Sequence, residues 1–181
     1  MTEVEVSQIS TYLTTKKLNK DDHLLKAGHI CNFIAFVHIG KFRSYYTSPK
    51  GDSVNIMLNS ENEFIGDLES FITLKPSNLC IQAIEESEII IILKEDIEKL
   101  YDKSLYWNSF GRIMTENTFI IAKRRLEDLL YQTPENRYLG LLTREPEFLN
   151  QYPLTDIASY LGITLQSLSR IRSRISIKNR S

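Results

Sequence analysis

The chain has 181 residues, of which 42% are hydrophobic and 25% charged, with a formal net charge of −1. That balance suits a soluble globular chain able to bury a core, argues against disorder, and at this length admits one domain or two units of unequal size. No apolar run approaches the roughly 20 residues that span a bilayer, and the N-terminal MTEVEVSQIS lacks a signal-peptide pattern, so no membrane role and a cytoplasmic location are expected.

In chain order, the first half predicts short strands. FIAFVHIG (33–40), KFRSYYTS (41–48), SVNIML (53–58), LCIQAI (79–84) and EIIIIL (88–93) are rich in β-branched and aromatic residues. Gly40 separates two of them, SPKGDS around Gly51 suits a hairpin, and NSENE at 59–63 suits a polar turn. Such spacing points to a β-sandwich or roll. Cys31 and Cys80 belong to no Cys-x-x-Cys or Cys/His cluster, so they are expected to be reduced, buried thiols, with neither metal nor cofactor. His23, His29 and His38 lack the spacing of a cupin metal site. Neither a Gly-x-Ser-x-Gly elbow nor a Gly-x-x-x-x-Gly-Lys loop occurs, so no enzymatic activity is expected.

Helical signals take over after Lys94. Ile97, Leu100 and Tyr101 form a short amphipathic turn, and about 104–131 runs without proline and with Gly111 as its one glycine. Within that segment Phe110, Ile113, Met114, Ile120 and Ile121, with Asn117 among them, make one helical stripe. A helix of this length, ~42 Å, overhangs a small β-domain, and the stripe is expected to be a dimer seam in which Asn117 fixes register.

Pro153 opens a different pattern. Ile157, Ala158 and Leu161 mark a short helix, Gly162 can end it with a left-handed residue, and Thr164 is placed to cap a second helix running to about Ile175. On a wheel of ~100° per residue, Leu168, Ile171 and Ile175 face a core while Gln166, Arg170 and Ser173 face away, flanked by Leu165 and Ser169, with Arg174 near the edge. Two helices around a glycine turn, with an arginine, amide and hydroxyl outer face, describe helix-turn-helix DNA binding. Arg170 can fork onto guanine and Gln166 can pair with adenine, while Thr164, Ser167, Ser169, Ser173 and Arg174 suit phosphate oxygens. Leu165 suits a thymine methyl. Charge agrees: Arg170, Arg172, Arg174, Lys178 and Arg180 against Asp156 give residues 151–181 a charge of +4, leaving −5 for residues 1–150.

DIASYLGITLQSLSRIRSRI (156–175) resembles the helix-turn-helix of the Crp/Fnr superfamily of bacterial transcription regulators. LLKAGHICNFIAFVHIGKFRSYYTSPKGDSVNIMLNSENEFIGDLESF (24–71) resembles that family's cyclic-nucleotide-binding-type roll, with Gly28, Gly40, Gly51 and Gly66 at turn positions typical of it. ENRYLGLLTREPEFL (135–149) resembles the helix before the DNA-binding pair, and the similarity spans Lys16 to Ile175. The resemblance implies an α+β fold: an N-terminal antiparallel β-roll as sensor (1–103), a long dimerisation helix (104–131) and a C-terminal helix-turn-helix domain (132–181). It implies a homodimer on a pseudo-palindromic site in double-stranded DNA, with RNA polymerase as a further partner to consider and a small-molecule effector unidentified.

The departures from the family matter. Members that bind cyclic AMP use Gly-Glu-Leu to take the ribose and an Arg-Ser pair about ten residues later to take the phosphate. Here the first run is Gly66-Asp67-Leu68 and the later positions are Ser77 and Asn78, with no arginine. A buried phosphate without a cation is strongly disfavoured, and Lys75 offers a point charge in place of a fork. The pocket is therefore expected to be degenerate and unresponsive to cyclic AMP. The cysteine set of iron–sulfur members and an obvious haem arrangement are also absent. The alternative is a ligand-binding or protein-interaction module whose helix-turn-helix does not read DNA, to which the apolar Leu165 lends weight.

Overall fold

The computed structural model describes residues 3–178, with side chains through Ser176. The expected basic group of Lys178 lies outside the described side chains, and Arg180 lies outside the described residues. In chain order the elements are α1 (Glu3–Ser10), β1 (Thr14–Leu18), β2 (His23–Leu25), β3 (Phe33–Ile39), β4 (Phe42–Thr47), β5 (Ser53–Asn59), β6 (Phe64–Ile65), α2 (Leu68–Thr73), β7 (Leu79–Ala83) and β8 (Ser87–Leu93). There follow α3 (Lys94–Lys103), α4 (Leu105–Tyr131), α5 (Pro134–Arg144), α6 (Phe148–Gln151), α7 (Leu154–Tyr160) and α8 (Leu165–Lys178).

Every strand pair is antiparallel, in two four-stranded sheets ordered β1-β8-β3-β6 and β2-β7-β4-β5. Their inner faces bury Cys31, Val37, Phe42, Ile81 and Ile89 in one apolar core, which is the alternation expected of half-buried strands. Gly40 turns β3 into β4 with a φ of +102°, and a Cβ there would lie 2.2 Å from Ser87 Oγ, so no other residue fits. Cys31 is fully buried as expected, its thiol pKa pushed up by desolvation, whereas Cys80 is only half-buried. The Cys80 sulfur accepts from the Ala27 N–H.

Ser104 caps α4 by accepting from the Tyr106 N–H, and the 27 residues that follow extend ~40 Å. Only its first turns rest on the roll. Trp107 is buried and donates Nε1–H to Gln8 Oε1 at 3.0 Å, and Gly111 makes room for Tyr101 of α3, whose Oη would sit 2.1 Å from an added Cβ. Residues 115–124 are exposed along their whole length. Beyond α4, Tyr138, Leu141, Phe148, Ile157, Leu161, Leu168 and Ile171 form a second core, which Leu58 of β5 joins. The helical unit therefore packs on the edge of the roll.

Candidate nucleic-acid interface and effector cleft

The turn between α7 and α8 is built by the backbone. Ile163 N–H bonds to Ala158 O and Gly162 N–H to Ser159 O, both at 3.0 Å, the paired bonds of a helix end closed by a left-handed residue. Gly162 supplies that residue with a φ of +68°. Thr164 then accepts from the Ser167 N–H at 3.2 Å, capping α8 as its position predicts, and the two hydroxyls bond each other at 3.0 Å.

This start fixes the roll of α8 about its axis. Leu168 and Ile171 are buried and Ile175 half-buried, while Thr164, Leu165, Gln166, Ser169, Arg170, Ser173 and Arg174 are exposed. Ser167 is half-buried, its N–H donating to the Thr164 cap and its hydroxyl accepting from the Thr164 hydroxyl. Arg170 Nη2 lies 3.5 Å from Ser167 Oγ, a weak contact that leaves its fork available. Arg174 is more tightly held: its Nη1 donates to Glu135 Oε2 of α5 at 2.8 Å.

Two arginines outside the predicted set hold the turn in place. Arg137, only 9% exposed, donates Nε–H to Leu161 O at the end of α7 (2.9 Å) and Nη1–H to Gln132 O at the end of α4 (2.8 Å). Arg125 of α4 stacks 4.1 Å over the Tyr160 ring of α7, and burial lowers its pKa while raising that of the tyrosine. The sequence signal for them is weak, since each arginine sits in an otherwise ordinary helical run.

On α4 the expected seam residues Phe110, Ile113, Ile120 and Ile121 are exposed, as is Asn117, and Met114 is half-buried. Phe110 also touches the roll, its ring 6.2 Å from Phe64.

At the opposite functional end, Asp67 is turned inward. It caps α2, its Oδ1 accepting from the Glu69 N–H at 3.1 Å, and its Oδ2 accepts from Ser77 Oγ–H at 2.5 Å. Ser77 Oγ in turn accepts from the Leu79 N–H at 2.8 Å. The cleft left beside this network measures about 50 Å³ and is lined by Tyr46, Asp67, Glu69, Lys75, Ser77 and Asn78 among others, far below the several hundred Å³ of a small-molecule pocket. Two expected members do not line it: Gly66 packs against Phe33 O and Ile34, and Leu68 opens α2. Among the described residues no arginine lines it. Burial, with Asp67 and Glu69 nearby, raises the Tyr46 phenol pKa. Among the described residues no cluster of three His, Cys, Asp or Glu side chains could hold a metal ion, and no helix is long and apolar enough to cross a membrane.

Residues 15–104 match the cyclic nucleotide-binding domain family. The chain is similar in structure to FixK2 from Bradyrhizobium japonicum, with a TM-score of 0.77 and 18% identity over 92% of this chain and 86% of that one. It is similar to the c-di-GMP responsive global regulator CLP of Xanthomonas campestris at a TM-score of 0.74 and 13% identity, covering 98% and 93% of the two chains. The catabolite activator protein of Thermus thermophilus follows at 0.62 and 18%, covering 99% and 85%. Comparison of the sequence with curated proteins gives no match.

Proposed function

We propose that this chain, whose residues 15–104 match a cyclic nucleotide-binding domain and whose fold is similar to those of FixK2 and CLP, is a Crp/Fnr-type regulator: a homodimeric, sequence-specific DNA-binding transcription regulator whose effector cleft does not take a cyclic nucleotide. The observation that carries this reading is α8: a capped helix whose apolar side is buried and whose Gln166, Ser169, Arg170, Ser173 and Arg174 all face solvent. That is the arrangement a recognition helix needs in a major groove. The exposed stripe on α4 supports a second copy as its cover, and two-fold symmetry would then place two copies of α8 about one helical turn (~34 Å) apart on a pseudo-palindrome. The inward-turned Asp67 and the missing fork support a cleft closed to phosphodiesters.

Selection from random DNA with the purified protein, paired with sedimentation at micromolar concentration, tests the proposal. An enriched palindrome and a dimer are expected. A monomer with no preferred site overturns it and favours the interaction-module alternative.

A further inference from the structure

β5 is the outer strand of its sheet, and an outer strand presents backbone groups that need cover. Here α7 supplies it. Ser159 Oγ accepts from the Asn55 N–H at 2.9 Å and donates to Ser53 O at 3.3 Å. Asn55, 2% exposed, donates its Nδ2 hydrogens to Asp156 Oδ1 at 3.0 Å and to Asp156 O at 3.2 Å. The same Asp156 Oδ1 takes Arg43 Nη1 at 3.3 Å, while Arg43 Nε and Nη2 both bond Gln82 Oε1 of β7, at 2.9 and 2.7 Å.

The direction of these bonds is informative. Asn55 sits on a roll strand, yet its side-chain donors are spent on a helix about a hundred residues away, and its Oδ1 is buried with no partner among the described residues. A buried orphan acceptor is costly, and the roll's own stability gives no reason to bear it. Positioning α7 does. α7 is held as well by Arg125 of α4 on Tyr160 and by Arg137 of α5 on Leu161 O, so the helix is tied both to the roll and to the helices that precede it.

We infer that Asn55 and Arg43 are positioning residues for the recognition helix: through Asp156 and Ser159 the roll itself sets the orientation of α7–α8 relative to α4, a task the cleft at Asp67 is too small to give to a bound effector. The DNA consequence rests on the reading of α8 given above; the joint does not. A preset orientation spares the dimer the cost of aligning two α8 helices on one operator.

The test combines native-state hydrogen exchange with DNA binding by the full chain. Asn55→Asp sets a second carboxylate against Asp156, Asn55→Asp with Asp156→Asn restores a donor–acceptor pair, and Ser159→Ala loosens the joint gently should the first variant fold poorly. Asn55→Asp is expected to speed exchange across α7–α8 about tenfold while core amides of β3 and β8 keep their rates, with the double variant recovering most of the loss. On a full operator, affinity falls about tenfold and tolerance of altered half-site spacing widens, while a single half-site is bound as before. Unchanged exchange in α7–α8 for both Asn55→Asp and Ser159→Ala overturns the inference, as does equal acceleration throughout the roll. Absence of DNA binding by the parent overturns the functional reading instead, and the exchange data still decide the joint.

Discussion

Arg170 and Arg174 lie one helical turn apart on α8 and differ in what already holds them. Arg170 makes one weak contact to Ser167, whereas Arg174 is paired with Glu135 at 2.8 Å and so is braced from below. A braced cation suits phosphate, and a free fork suits a base edge. Arg170→Ala is therefore expected to cost about 1–3 kcal/mol and to relax preference at one base pair, while Arg174→Ala weakens all sequences alike and lowers the salt slope by about one. Competition binding against an operator library, repeated at two salt concentrations, separates the two. A second residue-scale outcome concerns His23, whose Nε2 lies 2.9 Å from Tyr45 Oη. Burial, then Lys26 and Arg43, lower its pKa, so the unfolded chain binds the proton more readily than the folded one. Its contribution to stability is complete above the usual value of about 6.5 and is lost as pH falls from there through the lowered value. Thermal melts across that window should show a flatter acid limb for His23→Gln than for the parent.

The elements divide by how they obtain their stability. α4 is long enough and striped enough to be read directly, and its exposed Ile113, Ile120 and Ile121 give it a definite test. Ile120→Asp should yield a monomer by sedimentation without loss of helix by circular dichroism, because the side chain is 43% exposed in the single chain and a buried charge is tolerated only where water reaches it. A dimer that survived both Ile120→Asp and Ile113→Asp would place the seam elsewhere. Strands β3, β4, β5, β7 and β8 and the α7–α8 pair were legible for the same reason as α4: their own residues carry the period. β1 was not, since Thr14-Thr15-Lys16-Lys17 is polar and exposed and becomes a strand only by pairing with the isoleucines of β8. The two-residue β6 and the three-residue β2 are too short to show a period. α2 was hidden because Asp67 looked like a ligand-binding carboxylate, whereas it caps a six-residue helix. At the interface, the outward face of α8 was readable from helical spacing, but Arg137, Asn55 and Asp156 were not: their partners lie far away in sequence, and no local pattern announces a contact of that kind.

For the molecule as a whole, the β-roll and the C-terminal helical unit are joined by contacts at β5 and at the end of α4, while the side chains of the small cleft at Asp67 bond one another. Asp67 serves α2 and Ser77 at once, so a ribose hydroxyl would have to displace bonds already made. A cyclic phosphodiester would also meet Glu69 with only Lys75 to offset it, and at 4 Å an uncompensated carboxylate repels an anion by roughly 1–4 kcal/mol for effective dielectrics between 80 and 20. Both effects act against binding. Calorimetry is therefore expected to give dissociation constants for cyclic AMP and cyclic GMP well above about 10 μM, the equivalent of roughly −7 kcal/mol. Ser77→Arg supplies the absent fork and should bring measurable nucleotide binding, at some loss of stability because Ser77 Oγ now satisfies both Asp67 and the Leu79 N–H. Tight binding by the parent would mean that Lys75 stands in for the fork and that the cleft opens. In that case linkage requires the nucleotide to bind the operator complex with a different affinity from the free protein whenever it alters DNA binding, and the same titration run with operator present would reveal it.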